Sequence, residues 1–172
     1  SALRFEIMRT DSLGVRQGGT TGQKIDLPEL PLRRADGSPN DALVAAHAAL
    51  HGRTVNIVDA YAQEGFDFSG TRAFDQRTGY RSQSFLTVPM TDHQGELIGV
   101  LQLLNALDPA TGKVVAFSNA DQSLTESLAS QAAIALSNRL LITQLERLFE
   151  SFVKLINMAI DEKSPYTGGH CQ

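Results

Sequence analysis

The sequence predicts an α+β protein: an antiparallel sheet with flanking helices, continued by a long C-terminal helix of coiled-coil character. Three observations carry that expectation. Two apolar runs, residues 84–90 and 97–104, are separated only by the short polar turn Thr91-Asp92-His93-Gln94-Gly95-Glu96, the layout of an antiparallel hairpin. A short apolar run over residues 42–50 is stopped by Gly52, as a helix is. From Ser118 onward apolar residues recur every three or four positions without a Gly or Pro until Pro165, which reads as one continuous helix.

Taken in order, residues 3–9 (Leu3-Arg4-Phe5-Glu6-Ile7-Met8-Arg9) open with strict apolar/polar alternation and predict a half-buried strand. Residues 11–23 hold four glycines and predict a loop. Residues 24–27 predict a short strand stopped by Pro28, since proline cannot donate to a ladder. Residues 31–39 form a polar loop, after which Asn40 or Asp41 is placed to cap the helix over residues 42–50. Residues 54–58 predict a strand. Residues 59–82, rich in Gly, Asp, Arg and aromatics, predict a long loop, a feature usually tied to function in compact domains. The run over 97–104 is apolar on both faces except at Gln102, which predicts a central strand with one polar group aimed at whatever lies over the sheet. Ser118 and Asp121, three apart, match a capping box for the last helix.

That helix carries a seam. From Leu141 through Leu145, Leu148, Phe152, Leu155 and Ala159 the spacing is 4-3-4-3-4. Ile142, Phe149 and Ile156, with Val153 and Ile160, make a second stripe beside it. So wide an apolar face requires a partner, and a homodimeric coiled coil or four-helix bundle is the simplest one.

Composition excludes several classes. Of 172 residues 42% are hydrophobic and 20% charged, ordinary for a globular chain. The formal net charge of −4 supplies no basic field to hold nucleic acid. No apolar run approaches the roughly 18 residues of a membrane span, and no signal peptide is visible. The single Cys171 forms no internal disulfide and fits a reducing, cytoplasmic setting.

Within residues 59–82, Asp75, Thr78, Tyr80 and Ser82 lie beside Phe66, Phe68 and Phe74. Hydroxyls and a carboxylate among aromatics suit a planar, polar-edged ligand such as a purine. On the other reading, Thr78-Gly79-Tyr80 only shapes the loop and Asp75 caps a turn. His47 and His51 are four apart, the spacing that sets two imidazoles on one helix face. No carboxylate or Cys accompanies them in the run, so no metal is expected there. His93 falls in a turn and is expected to be solvated.

The segments Val55-Asn56-Ile57-Val58-Asp59-Ala60-Tyr61, Phe74-Asp75-Gln76-Arg77-Thr78-Gly79-Tyr80-Arg81-Ser82, Val88-Pro89-Met90 and 95–105, in that order and spacing, resemble the GAF domain, in particular the regulatory GAF domains of cyclic-nucleotide phosphodiesterases and related cyclases. The resemblance covers roughly residues 3 to 140 and implies a GAF-like antiparallel sheet with a small-molecule pocket under mobile loops. In nucleotide-binding relatives the positions of Asp75, Thr78, Ser82 and Gln102 line that pocket. Those relatives also carry an Asn-Lys…Phe…Asp-Glu signature. Here Asn105, Phe117 and Asp121 are present, but Ala106 stands for the Lys and Gln122 for the Glu, so the Lys–Asp pair is absent. The family's initial helix and strand are not found before Leu3, which implies an open sheet edge. Bilin-binding and methionine-sulfoxide-reducing members use cysteines in the domain, and none precedes Cys171.

Residues 159–172 (Ala159-Ile160-Asp161-Glu162-Lys163-Ser164-Pro165-Tyr166-Thr167-Gly168-Gly169-His170-Cys171-Gln172) resemble the opening of an HD-GYP domain, a metal-dependent phosphodiesterase that hydrolyses cyclic di-GMP. The resemblance implies that His170 is the first ligand of a divalent metal pair, iron or manganese, whose other ligands follow. Tyr166 stands where three-metal members carry Glu. The expected organisation is a GAF sensory domain over residues 1–137, a signalling helix over 138–160, and the start of an HD-GYP domain over 161–172. The expected function is small-molecule sensing and homodimerisation in a bacterial cyclic di-GMP phosphodiesterase. This chain itself is expected to be non-enzymatic and without a cofactor, because residues 1–150 contain no nucleophile or metal set. The alternative is a ligand-free dimerisation scaffold, its pocket filled by Phe85 or Tyr80.

Overall fold

A computed structural model describes residues 1–163 of the chain. It divides into two compact units, Ser1–Ala133 and a second that begins at Ile134. In the first unit the predicted N-terminal strand is broken in two. β1 (Ala2–Leu3) pairs with β4 (Leu30–Pro31), while β2 (Ile7–Thr10) pairs with β3 (Val15–Gly18). The glycine-rich stretch expected as loop thus contains a strand. Its turn closes through the Gly14 N–H donating to the Asp11 carbonyl at 3.2 Å. Residues 24–27 keep their alternation, with Ile25 and Leu27 half-buried, yet form no ladder; pairing resumes only at Leu30.

Helix α1 (Val44–His51) starts two residues later than expected. Neither predicted cap serves it. Leu43 is the N-cap residue, Asn40 donates its amide to the Pro31 carbonyl, and Asp41 accepts from His51. Gly52 ends the helix at φ 60°, the left-handed conformation that glycine adopts without penalty. Val44, Ala46 and Ala48 bury one face.

The main sheet has the order β5-β6-β7, with β5 (Val55–Ile57), β6 (Phe85–Thr91) and β7 (Leu97–Leu104) all antiparallel. The central strand is therefore β6, and not 97–104 as its apolar composition predicted. β6 is buried almost throughout, whereas β7 is half-exposed, with Leu103 and Leu104 open. β5 covers only Phe85–Thr87, so at Pro89 the strand has a neighbour on one side alone, which is how a proline is tolerated there. Alternate side chains of β6 serve two cores. Phe85 joins Val44, Ile57, Ala60 and Phe68. Leu86, Val88 and Met90 pack with Ala129 and Ala133. A small hairpin of β8 (Ala106–Leu107) and β9 (Val114–Val115) follows; it turns on the Asp108 carboxylate, which accepts from the N–H groups of Ala110 and Thr111.

The stretch 59–82 is not all loop. It contains α2 (Ser69–Thr78). Asp67 accepts the Ser69 N–H at 2.8 Å and Gly79 closes the helix at φ 71°. Polar residues and Gly70 lower its helix propensity, which hides it from periodicity. Helix α3 (Asn119–Lys163) is a single 45-residue element. Its capping box is formed. Ser118 donates through both N–H and Oγ to Asp121 at 2.8 and 2.7 Å, and the Asp121 N–H returns to Ser118 Oγ at 3.1 Å. From Ile134 on, it carries a series of open apolar side chains: Leu141, Leu145, Leu148, Phe149, Phe152 and Leu155 are each at least half exposed (50–68%).

Candidate functional site

The loop expected to form a pocket is organised around one carboxylate. Asp75, on the last turn of α2, is 4% exposed. Its Oδ2 accepts the Tyr61 hydroxyl at 2.9 Å and the Ser82 N–H at 2.8 Å, and its Oδ1 accepts Ser82 Oγ at 2.8 Å. Ser82 is itself 2% exposed. The hydrogen bond to Asp75 holds the Tyr61 phenol above its ordinary range. The Arg81 guanidinium lies 3.7 Å over the Tyr61 ring and 3.8 Å from Asp59. The geometry thus brings Asp75 and Ser82 together, and adds Tyr61, which the sequence reading passed over. Tyr61 lies before α2, and with α2 unrecognised nothing in the pattern turned it back toward Asp75.

The other candidates stand apart from this hub. Thr78 is exposed and returns its hydroxyl to the Phe74 carbonyl at 2.8 Å. Tyr80 is half-buried, and its N–H reaches Thr78 Oγ1 at 3.4 Å. Gln102 lies opposite Thr87 in the β6–β7 ladder and donates to its hydroxyl at 2.9 Å. On the core side, Phe68 of the same stretch meets Phe85 of β6 at 5.4 Å between ring centres, and Phe66 approaches Phe68 edge-on. A cleft of about 440 Å³ opens elsewhere on the same unit, lined by Arg53, Thr54, Pro89, Thr91, Gln122 and Glu126 among others. It forms where β5 leaves β6 uncovered.

Asn105 has φ 58°. Its Oδ1 accepts the Gln83 N–H and its amide donates to the Arg81 carbonyl, both at 2.7 Å. It therefore staples the end of the loop to the sheet. Phe117 packs on the β6–α3 core. Asp121, without a lysine, turns to Ser118, whose side chain and N–H hold its carboxyl below the ordinary value. Gln122, standing for the relatives' Glu, has its Oε1 accept the Asn56 amide at 3.2 Å and donates to Glu126. His170 lies outside the described residues.

The His47–His51 pair departs from expectation, because a carboxylate does accompany it. Asp41, ten residues before His51, places Oδ1 2.7 Å from His51 Nε2 and 3.2 Å from His47 Nδ1. The His51 bond is the main cause of a lowered Asp41 carboxyl.

The chain thus sets a small three-stranded antiparallel sheet between α1 and α3, with a loop gathered on a buried aspartate. The family model described as GAF domain matches residues 7–136, and the chain belongs to the GAF domain family, whose members are small-molecule-binding and dimerisation modules of signalling proteins. Over 124 residues, 70% of the chain, it is 33% identical to the dual 3',5'-cyclic-AMP and -GMP phosphodiesterase 11 of Drosophila melanogaster, covering 8% of that protein. It is 28% identical to the dual 3',5'-cyclic-AMP and -GMP phosphodiesterase 11A of Takifugu rubripes over the same share of the chain, covering 13% of that protein. The chain thus spans about a tenth of the length of these relatives. Among solved structures, a type II free methionine-R-sulfoxide reductase from Thermoplasma acidophilum aligns at 24% identity and TM-score 0.41, over 66% of this chain and 63% of that one. Among the described residues no helix is long and apolar enough to cross a membrane.

Proposed function

We propose that the chain is the regulatory and dimerising part of a bacterial, cytoplasmic cyclic di-GMP phosphodiesterase: a GAF domain whose state passes along α3 to a metal-dependent HD-GYP domain. One observation carries the reading. The α3 side chains from Leu141 to Ile160 form a broad apolar face that is open in the single chain, and such a face is stable in water only when a second helix covers it. The occupant proposed is a second copy, with the stripes 141/145/148/152/155/159 and 142/149/156 meeting their equivalents. The HD-GYP assignment rests on the resemblance of residues 159–172. In that domain His170 would be one ligand of an iron or manganese pair, which would polarise a phosphodiester and its attacking water.

The sensing role rests on family membership, on the likeness to dual cyclic-nucleotide phosphodiesterases, and on the loop carrying Asp75, Thr78, Tyr80 and Ser82. The rival scaffold reading has its own support: Phe68, from the loop itself, is buried in one core cluster with Phe85, and the Asp75 oxygens are already engaged. Two measurements separate the readings. Sedimentation equilibrium reports the dimer, and a monomer at all concentrations overturns the α3 interface. Calorimetry with cyclic AMP, cyclic GMP and cyclic di-GMP reports sensing. Saturable heat with one of them supports a nucleotide sensor; no heat and no thermal shift for any removes that reading and leaves the scaffold.

A further inference from the structure

Asp41, His47 and His51 offer three ligand atoms that all lie within 4.8 Å of one another. They come from two places. His47 and His51 are one turn apart on α1, whose buried Val44, Ala46 and Ala48 fix the helix against the sheet. Asp41 precedes the helix, in a segment held by the Asp67 N–H bond to the Ala42 carbonyl at 2.7 Å. Bonds of about 2.1 Å from nitrogen and oxygen to a tetrahedral zinc ion set neighbouring ligand atoms about 3.4 Å apart. The observed separations of 2.7 and 3.2 Å from Asp41 Oδ1 are both shorter than that edge, so small side-chain rotations that open the triangle are needed to admit an ion.

The surroundings of His47 point the same way. His47 Nδ1 is shielded from solvent and makes no well-directed hydrogen bond; its contact is the 3.2 Å ion-pair approach to Asp41 Oδ1. A shielded ring nitrogen without a well-directed partner is costly, and an ion bridging it to Asp41 relieves that cost. The edge of the His47 ring rests on Phe66 at 5.4 Å between centres, which orients the imidazole. The three side chains remain one-third to one-half exposed, so an ion can enter.

We propose that Asp41 Oδ1, His47 Nδ1 and His51 Nε2 bind a divalent metal ion of the zinc class, leaving a fourth position for water or an anionic group of a ligand. Two imidazoles and one carboxylate match borderline ions; magnesium and calcium prefer all-oxygen sites. The ion joins the segment before α1 to the end of α1 and, through the His47–Phe66 ring contact, reaches the loop that carries Tyr61 and Asp75.

The test is titration of the full chain with zinc chloride, followed by calorimetry and by long-range 1H–15N spectra of the imidazoles. The expected result is one equivalent bound, with the resonances of His47 Nδ1 and His51 Nε2 displaced, His93 unmoved, and no response to magnesium. Asp41→Asn weakens binding more than about tenfold, since even outer-shell partners of a metal are worth 10–100-fold. His51→Ala, at an exposed helix end, removes it. Zinc that leaves both imidazoles unmoved, displaces only His170, or binds Asp41→Asn and His51→Ala as tightly as the natural chain overturns the proposal and leaves a plain His–Asp ion pair.

Discussion

Replacing Asp75 by alanine tests whether the loop over residues 59–82 is held by its own carboxylate. Three donors converge on it at 2.8–2.9 Å: the Tyr61 hydroxyl, the Ser82 N–H and the Ser82 hydroxyl. Tyr61 is half-buried and can turn its hydroxyl to water, so its loss counts little. The two Ser82 donors are buried with that residue, and each buried group left unpaired costs about 1–3 kcal/mol. Some of this is recovered because a charge no longer needs burying. The net expectation is a loss of about 3 kcal/mol. In a domain of this size that lowers the midpoint of thermal unfolding by about 6–12 °C. Asp75→Asn is the discriminating partner. Its carbonyl can take the place of Oδ2 and accept from Tyr61 and the Ser82 N–H, while its amide donates to a rotated Ser82 hydroxyl. It should cost about 1 kcal/mol, the worth of weakening charge-assisted bonds to neutral ones. Urea unfolding followed by circular dichroism measures both. If Asp75→Ala is as stable as the natural chain, or if Asn is as damaging as Ala, the carboxylate is not the organising element described here.

Other substitutions probe the remaining supports. Asn105→Ala should lose about 2–4 kcal/mol in the same assay, combining the left-handed φ with two lost hydrogen bonds, while Asn105→Gly, which removes only the bonds, should lose about half as much. The Asp121 carboxyl is lowered by Ser118, so its contribution is fully present above the ordinary aspartate value of 3.8 and is lost as pH falls through the lowered one. The stability difference between the natural chain and Ser118→Ala should therefore shrink in acid, and a difference independent of pH refutes the linkage. Leu145→Ser or Phe152→Ser removes about 1.5–3 kcal/mol of apolar burial per helix, twice per symmetric dimer. The dissociation constant from sedimentation should rise more than about 100-fold, with the helix content of the first unit unchanged.

Much of this fold is legible because its signals are local. The 97–104 strand is found at its predicted limits, and the capping box at Ser118 announces α3 in four residues. What escapes the sequence is relational. Strand order depends on which neighbour is present, so 97–104 looks central by composition yet lies at the edge beside the more deeply buried 85–91. α2 escapes because its polar residues and Gly70 lower its helix propensity and leave no apolar period to read. Asp41 escapes as a companion of the histidines because ten residues and a helix separate it from His51 in the chain but only a hydrogen bond does so in space. Asn105 was singled out by resemblance, and its physical reason, a left-handed residue whose side chain ties down two backbone groups, belongs to the folded chain alone.

The surface of α3 also carries two overlapping registers. One runs through Leu141, Leu145, Leu148, Phe152, Leu155 and Ala159. The other substitutes Ile142, Phe149 and Ile156 for Leu141, Leu148 and Leu155 and keeps Leu145, Phe152 and Ala159. Adjacent residues point about 100° apart around a helix, so the two seams differ by a roll of roughly 50° about the helix's own axis. A pair of such helices has two comparably oily ways to mesh, like a gear with two seats. In the proposed dimer, a ligand would act only by favouring one seat over the other. The helix itself runs without glycine or proline from its cap to residue 163.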